Sequence, residues 1–211
     1  MYKRQDLNYA FGVQINNETL DIEYNDIARA EFDSDGKITK TADLFFLGGG
    51  QNVNQSRNKY GVFFEGEQEL SDSLGLRLAA RYEKVDNFSS LDPKISLSYN
   101  PIDQITLRIS RGTSFTMPSM AQMYSSDINL GSVRDLEGSL FVRQARIGNP
   151  DLKPATSTNS NFGFIYDSDI NRFSIDYWKI DYRDRIEAES SQAILDLDPQ
   201  GPSITRNENG E

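Results

Sequence analysis

Apolar side chains recur at every second position through most of this chain. Leu7, Tyr9, Phe11, Val13 and Ile15 alternate with Asn8, Ala10, Gly12 and Gln14. Tyr60, Val62 and Phe64 alternate with Gly61, Phe63 and Glu65, and Leu74, Leu76, Leu78, Ala80 and Tyr82 alternate with Gly75, Arg77, Ala79, Arg81 and Glu83. The same rhythm runs through Ile95, Leu97 and Tyr99, through Ile105, Leu107 and Ile109, through Phe162, Phe164 and Tyr166, and through Phe173, Ile175 and Tyr177. Period two is the strand period. These segments predict seven antiparallel strands, each with an apolar face and a face that is polar or small except at Phe63 and Ile165. No long window carries helical periodicity, so the expected fold class is all-β.

The connections between these segments differ sharply in length. Residues 71–73, 100–103 and 168–171 read as tight turns, 86–93 as an intermediate connection, and 16–58 and 112–157 as very long ones. Antiparallel neighbours place alternate connections at the same end of a sheet. All short turns therefore fall at one end and all longer connections at the other. That asymmetry, with an apolar outer face and a polar inner one, is the pattern of an outer-membrane barrel. On this reading Arg77, Arg81, Glu83 and Arg108 face a wet lumen, whereas each would cost about 2–4 kcal/mol facing lipid near the midplane. Tyr60, Tyr82, Tyr99, Tyr166 and Tyr177 fall near strand ends on the apolar face, as interfacial girdles require. The last strand changes phase, because Trp178, Ile180 and Tyr182 follow Tyr177 on the opposite parity. Either a bulge near residues 177–179 or emergence above the bilayer accounts for it.

Composition narrows the chemistry. Among 211 residues there are 32 acidic and 22 basic side chains, a formal charge of −10, and neither cysteine nor histidine. A disulfide scaffold, a thiolate zinc site and a thiol nucleophile are excluded, and the commonest general base is absent. The acidic balance argues against nucleic acid as a partner. No stretch approaches the ~20 apolar residues of a membrane helix, and no basic-then-apolar export signal opens the sequence. Seven strands fall short of the even number, eight or more, with which bacterial single-chain barrels close. Residues 207–211 form a polar tail, not an apolar closing strand. The expectation is therefore a segment of a larger barrel, spanning residues 1–211, with both sheet edges needing further strands.

Two strings then bring a family into view. Ser110-Arg111-Gly112-Thr113-Ser114-Phe115, followed by Pro118-Ser119, resembles the Ser-x-Gly-x-Ser-Phe-x-x-Pro-Ser stretch of TonB-dependent outer-membrane receptors. Gly148-Asn149-Pro150-Asp151-Leu152-Lys153-Pro154-Ala155-Thr156-Ser157 resembles that family's Gly-Asn-Pro-x-Leu-x-Pro-Glu-Thr-Ser string, with Ala155 where Glu is usual. Residues 174–186, and the strands from Tyr60 and from Pro93, are similar to their counterparts in order and spacing. Thr116 and Met117 depart from the family's usual Arg and Ala. Locally, Gly112 is expected to adopt a positive φ at a strand end. Pro118 blocks further pairing, Pro150 and Pro154 stiffen the return of the chain, and Thr156 and Ser157 restart a strand. The second string reads as a rim element that binds nothing, and the first as the top of a barrel strand.

The other candidate sites are weaker. Asp33-Ser34-Asp35-Gly36 resembles the start of a calcium loop but lacks the later ligands and the closing Glu, so an acidic turn is the better reading. Gly48-Gly49-Gly50, after residues 44–47, opens no helix and lacks the Lys of a phosphate loop; it reads as a flexible external loop. Asp176, Asp181 and Asp184 lie in one stretch, yet nothing places two of them at a catalytic separation, and they read as lumen or rim charges. Phe88, Tyr124 and Phe141 fall in connections, where they could contact a ligand or pack the loops. No catalytic, metal or cofactor-binding residue is assigned, and the ligand-contacting residues are unknown.

The resemblance implies a partial barrel domain of a monomeric importer in the outer membrane of a Gram-negative bacterium, without its plug, TonB box and final strands. Such a receptor takes up a scarce nutrient, such as a siderophore–iron complex, cobalamin or oligosaccharide, gated by the plug and energised through the TonB complex. Its partners would be lipid, that complex and a small ligand. It would be no enzyme and need no cofactor. Two alternatives stand beside it: a non-energised porin or adhesin barrel, and a soluble β-sandwich binding module. A sandwich would bury the apolar faces between two layers. A barrel would leave cysteine labels at Leu76, Leu107 and Phe164 facing lipid and labels at Arg77, Arg108 and Gly163 facing water.

Overall fold

The computed structural model describes residues 7–34, 36–43, 48–135 and 138–206. Expectations for Asp35, for residues 44–47 and for the polar tail 207–211 lie outside the described residues. In chain order the elements are β1 (Asn8–Ile22), β2 (Glu31–Phe32), β3 (Ile38–Lys40), β4 (Gly49–Gly50), β5 (Val53–Ser71), β6 (Leu74–Val85), β7 (Phe88–Ile102) and β8 (Ile105–Thr116). There follow α1 (Met120–Tyr124), β9 (Ser126–Asp135), β10 (Gly138–Ile147), β11 (Ala155–Asp167), β12 (Arg172–Arg183) and α2 (Ser191–Leu197). The chain divides into two compact units. One holds the residues up to Thr19, Ser56–Pro118 and Lys153–Arg185; the other holds Leu20–Gln55, Ser119–Leu152 and the residues from Ile186.

The first unit is built on a seven-stranded sheet in the order β1-β5-β6-β7-β8-β11-β12. These are the seven strands the alternation predicts. Each is paired with its sequence neighbour because every insertion is accommodated within a connection. The register puts the apolar positions in rows. One row runs Leu76, Leu97, Ile109, Phe162, Tyr177 across five strands, and the next runs Leu74, Tyr99, Leu107, Phe164, Ile175. Among the described residues no second layer covers these rows. Phe11 is 77% exposed and Ile175 66%, and Val62, Phe64, Leu78, Ile95, Ile109 and Phe162 are also exposed. A sandwich would have buried them, so that alternative falls. Tyr60 and Tyr82 lie toward the end from which the long connections leave, and Tyr99 and Tyr166 beside the short turns. Tyr177 is mid-strand, opposite Phe162.

All long connections leave one end of this sheet, as expected, but the element boundaries differ. The long connections shrink to residues 23–52 and 117–154, because β1, β5 and β8 continue past their apolar runs. The intermediate connection 86–93 is in fact a two-residue turn, Asp86–Asn87, with Asp86 at φ 49°, so one short turn sits at the long-connection end and the expected sorting of all short turns to the other end does not hold. Phe88 is therefore the first residue of β7, opposite Val85, and not a loop aromatic. Pro93 is tolerated inside β7 because it pairs with Ala80 just outside the first β7–β8 pair, Lys94 with Gly112. There the missing N–H breaks no bond on that side. Gly112 does not take a positive φ; it lies within β8, where a Cβ would come within 3.1 Å of the Lys94 side chain. Finally, β12 pairs with β11 without interruption from Arg172 to Arg183, so the bulge at 177–179 is not there. Trp178, Ile180 and Tyr182 genuinely share the polar face, opposite Asn161, Asn159 and Ser157.

The second unit contains a three-stranded sheet in the order β10-β9-β4 and the β2–β3 pair. Its core is Ala30, Ala42 and Ile128, with Phe32 and Ile38 packed against it. Gly49 and Gly50 are not a flexible loop. They form β4 against Ile128 and Asp127, where a Cβ on Gly49 would meet Ala28 O at 2.6 Å and one on Gly50 would meet Ser126 O at 2.5 Å. Two glycines are required because two backbones approach closely. Asp33 closes a turn, accepting the Lys37 N–H through Oδ1 at 2.8 Å, so the acidic-turn reading holds for the residues described. On β9, beyond the residues paired with β4, Gln192 of α2 accepts the Arg134 N–H at 2.7 Å and donates to the Arg134 carbonyl at 2.8 Å. Asp135, next along, is ion-paired with Arg206 at 2.8 Å.

Candidate functional site: the polar wall and its rim

The inward-facing side of the seven-stranded sheet is a wall of small residues crossed by ion pairs. Alternation places Glu65, Glu67, Arg77, Arg81, Ser96, Ser98, Arg108, Ser110, Asn161 and Asp176 on this one face. Arg108 and Asp176 flank Gly163 in the register, on β8 and β12 with β11 between. The guanidinium reaches across: Nη2 meets both Asp176 oxygens at 2.8 Å and Nε meets Oδ1 at 3.2 Å. Gly163 makes this bridge possible, since a Cβ there would sit 2.4 Å from Arg108 Nε and 2.5 Å from Asp176 Oδ1. Arg77 pairs with Glu67 at 3.0 Å and Glu65 at 3.6 Å, and Arg81 with Glu83 at 2.7 Å. Arg81 also donates to Gln14 of β1 at 2.7 Å. Phe63, one of the apolar residues on this face, has its ring over Gly12 of β1, where a Cβ would come within 2.4 Å of it.

These pairs border a depression of about 520 Å³ lined by Glu67, Arg77, Ser98, Arg108, Asn161 and Asp176 among others. Open to solvent, each pair is worth about 0–1 kcal/mol. The wall offers donors, acceptors and balanced charge. The three aspartates of β12 and its end do not converge: Asp176 is held by Arg108, Asp181 faces the other way and pairs with Lys179 at 3.0 Å, and Asp184 lies beyond the strand at φ 53°.

At the long-connection end, the polar face continues into a cluster that sequence reading assigned to a loop. Glu18 of β1 accepts from Arg57 Nε at 2.8 Å and is ion-paired with Lys59, both on β5. Arg57 is 6% exposed and also donates through Nη1 to the Pro118 carbonyl at 2.9 Å. Because β6 and β7 lie between β5 and β8, the chain leaving β8 crosses their turn to meet Arg57. Val85 beside that turn is buried. Burial alone would raise the Glu18 carboxyl, but hydrogen bonds from Lys59 and Arg57, with their positive charges, hold it below the usual 4.5. Glu18 lies past the apolar run of β1, outside its membrane-compatible part. The signal was present: Glu18, Arg57 and Lys59 continue the polar parity of their strands.

The two family-like strings prove to be partners. Ser119 caps α1, its hydroxyl accepting the Gln122 N–H at 3.1 Å while Gln122 Oε1 accepts the Ser119 N–H at 2.8 Å. That reciprocal box explains a Ser after the proline. Gly148 N–H then donates to Ser125 O at 2.7 Å and Asn149 N–H to Gln122 O at 3.0 Å, so the Gly-Asn-Pro string satisfies the end of the same helix. A Cβ on Gly148 would lie 2.7 Å from Met123 and Tyr124 backbone atoms. Gly148→Ala is expected to cost about 1–3 kcal/mol locally, seen as faster hydrogen exchange at the Gly148 and Asn149 amides. Of the candidate loop aromatics, Tyr124 is half-buried in α1 and Phe141 is 77% exposed on β10.

An antiparallel wall with one exposed apolar face and one ion-paired polar face defines a barrel-wall segment. The family model for TonB dependent receptor-like β-barrels matches residues 2–211, and the chain belongs to that family. It is 25% identical over 128 residues to the probable TonB-dependent siderophore receptor PirA of Acinetobacter baumannii, over 60% of this chain and 17% of that protein. Among solved structures it is similar to a point mutant of the ferric enterobactin receptor PfeA of Pseudomonas aeruginosa in complex with enterobactin. There the TM-score is 0.63 and the identity 19%, over 87% of this chain and 25% of that one. It is also similar to the siderophore receptor PirA of A. baumannii, with a TM-score of 0.58 and 19% identity over 85% of this chain and 28% of that one. The chain thus spans less than a third of each of these relatives. The likeness to the solved structures is one of fold.

Proposed function

We propose that this chain forms part of the barrel wall and external loops of an outer-membrane receptor that imports a small iron complex, energised through TonB. The observation that carries the reading is the family match over nearly the whole chain, joined to a sheet whose apolar face is bare. Water would not tolerate such a face, and lipid requires it. The related siderophore receptors support an iron complex as the cargo. The protein's partners on this reading are outer-membrane lipid, the TonB complex and the chelate. The wall makes and breaks no bond: it supplies a hydrated, charge-balanced passage.

Uptake of radiolabelled ferric chelates by cells carrying the intact protein tests the function. Accumulation is expected with TonB present and is expected to vanish when TonB is deleted or the proton gradient collapsed. Uptake that persists without TonB would favour the porin alternative. Cysteine labelling in intact outer membranes tests the wall. Labels at Leu76, Leu107 and Phe164 are expected to resist a membrane-impermeant thiol reagent, and labels at Ser96, Ser98 and Ser110 to react. These serines are better inward probes than Gly163, which has no room for a Cβ, or Arg108, whose removal strands Asp176. Equal reactivity of the two sets would refute the assignment.

A further inference from the structure

The apolar face of the wall changes character one row beyond its centre. Ile109 lies between Leu97 and Phe162, with Tyr177 next across. Two residues farther toward the long connections, the register aligns Ile95, Arg111, Ser160 and Lys179 across β7, β8, β11 and β12. Directly opposed partners share a face. Arg111 and Lys179 therefore stand on the side of Ile109 and Tyr177, about 7 Å along the strands, and not on the ion-paired polar side. Arg111 is exposed, and among the described residues it makes no ion pair. Lys179 pairs with Asp181 at 3.0 Å, yet both side chains remain more than half exposed. The next rows on this face run Thr113, Thr158, Asp181 and Phe115, Thr156, Arg183. Among the described residues, Asp181 is thus the one carboxylate on the outer face of these four strands, against three cations. Asp92 of β7 has the other parity and accepts from the Ser90 and Thr113 hydroxyls. Arg111 and Lys179 are two strand spacings apart, about 10 Å, and Ser160 between them is too short to fill the gap they bracket.

We propose that Arg111 and Lys179, with Ser160 between them, hold the phosphate of an anionic lipid whose acyl chains lie on the Ile109, Phe162 and Tyr177 row. A cation on the outer face is costly near the bilayer midplane and nearly free at the interface. Two cations directly beyond the apolar rows therefore mark the depth at which headgroups begin. Their long stems let both heads lean over Ser160 toward one anion. The guanidinium meets a phosphate as a fork and the ammonium as a point charge, and the serine hydroxyl can add a third bond. The occupant is a lipid and not a free anion because charge and apolar surface adjoin on one face, and only an amphiphile uses both. A zwitterionic head brings its own cation and gains less. Asp181 opposes the site from the row beyond. The inference rests on the reading above that the apolar face meets lipid.

Native mass spectrometry of the intact protein, released from detergent micelles after titration with one lipid at a time, tests the site. The probes are dioleoyl phosphatidic acid, whose head is a bare phosphate, and dioleoyl phosphatidylcholine, which carries the same chains under a zwitterionic head. Tighter binding of phosphatidic acid is expected. Arg111→Gln combined with Lys179→Gln should weaken it about tenfold or more, with phosphatidylcholine unaffected. Arg111→Lys should retain part of the affinity, and Asp181→Asn should raise it. Arg172→Gln, which removes a cation paired with Asp167 beside a short turn, should change neither probe. Equal binding of the two lipids, or a double variant that binds phosphatidic acid as wild type does, would overturn the proposal. Displacement of phosphatidic acid by an equal concentration of inorganic phosphate would also overturn it, since the site would then take the free anion. If cysteine labels at Leu76, Leu107 and Phe164 resist the impermeant reagent while the variants bind as wild type does, the headgroup site falls and the wall reading stands. If those labels react as readily as the serine labels, the wall reading falls and this inference with it.

Discussion

Arginine at position 109 is expected to destabilise the protein in a bilayer by about 2–4 kcal/mol, whereas arginine at position 110 should cost less than 1. Ile109 is the centre of a five-strand apolar row, between Leu97 and Phe162. A guanidinium there must snorkel past exposed aromatics or remain desolvated in hydrocarbon. Ser110 is its neighbour along β8, but it faces Ser96 and Asn161 across the strands. There a guanidinium meets water and polar side chains. Guanidine-induced unfolding of the intact protein reconstituted in phospholipid bilayers measures both. Matched losses for Ile109→Arg and Ser110→Arg would mean that the two faces do not see different solvents, and the wall assignment would be lost.

The second large effect is expected at Arg57. Its guanidinium is nearly buried and serves Glu18 and the Pro118 carbonyl at once. Arg57→Ala leaves both acceptors without it, and breaking a buried pair from one side costs about 3–5 kcal/mol. Glu18 is part-exposed and keeps Lys59, so the lower end, about 3 kcal/mol, is expected in the same unfolding assay. The cluster also gives stability an acid limb. The folded Glu18 carboxyl lies below its usual 4.5, so its contribution is complete above that value and is lost as pH falls through the folded pKa. Glu18→Gln should lower stability at neutral pH and flatten this limb. Arg57→Ala should leave the Lys59 share of it.

The strands were legible because each has two faces in different surroundings, and period two reports that difference directly. What stayed hidden lacks a periodic footprint. A β4 of two glycines is too short to alternate, and its glycines look like a loop until the backbones of Ala28 and Ser126 are placed beside them. Residues 88–93 of β7 were hidden by Pro93, a sound loop signal defeated by its place just outside the β7–β8 ladder. Gly112 was rightly singled out but for the wrong property: it answers crowding by Lys94, not a left-handed backbone. The rim cluster joins Glu18 to residues 39 and 41 positions away, a pairing only the closed β1–β5 hairpin creates. The two family-like strings lie at the ends of β8 and β11. Their mutual fit through Gly148 and the end of α1 became visible only once both were folded.

At Arg134, Gln192 fills both hydrogen-bonding positions that an added polypeptide would need. Exposed hairpins invite intermolecular pairing along such margins, and here a single side chain occupies the vacancy at that point. Gln192→Ala is expected to increase self-association of the protein in detergent, read as a concentration-dependent rise in apparent mass by light scattering.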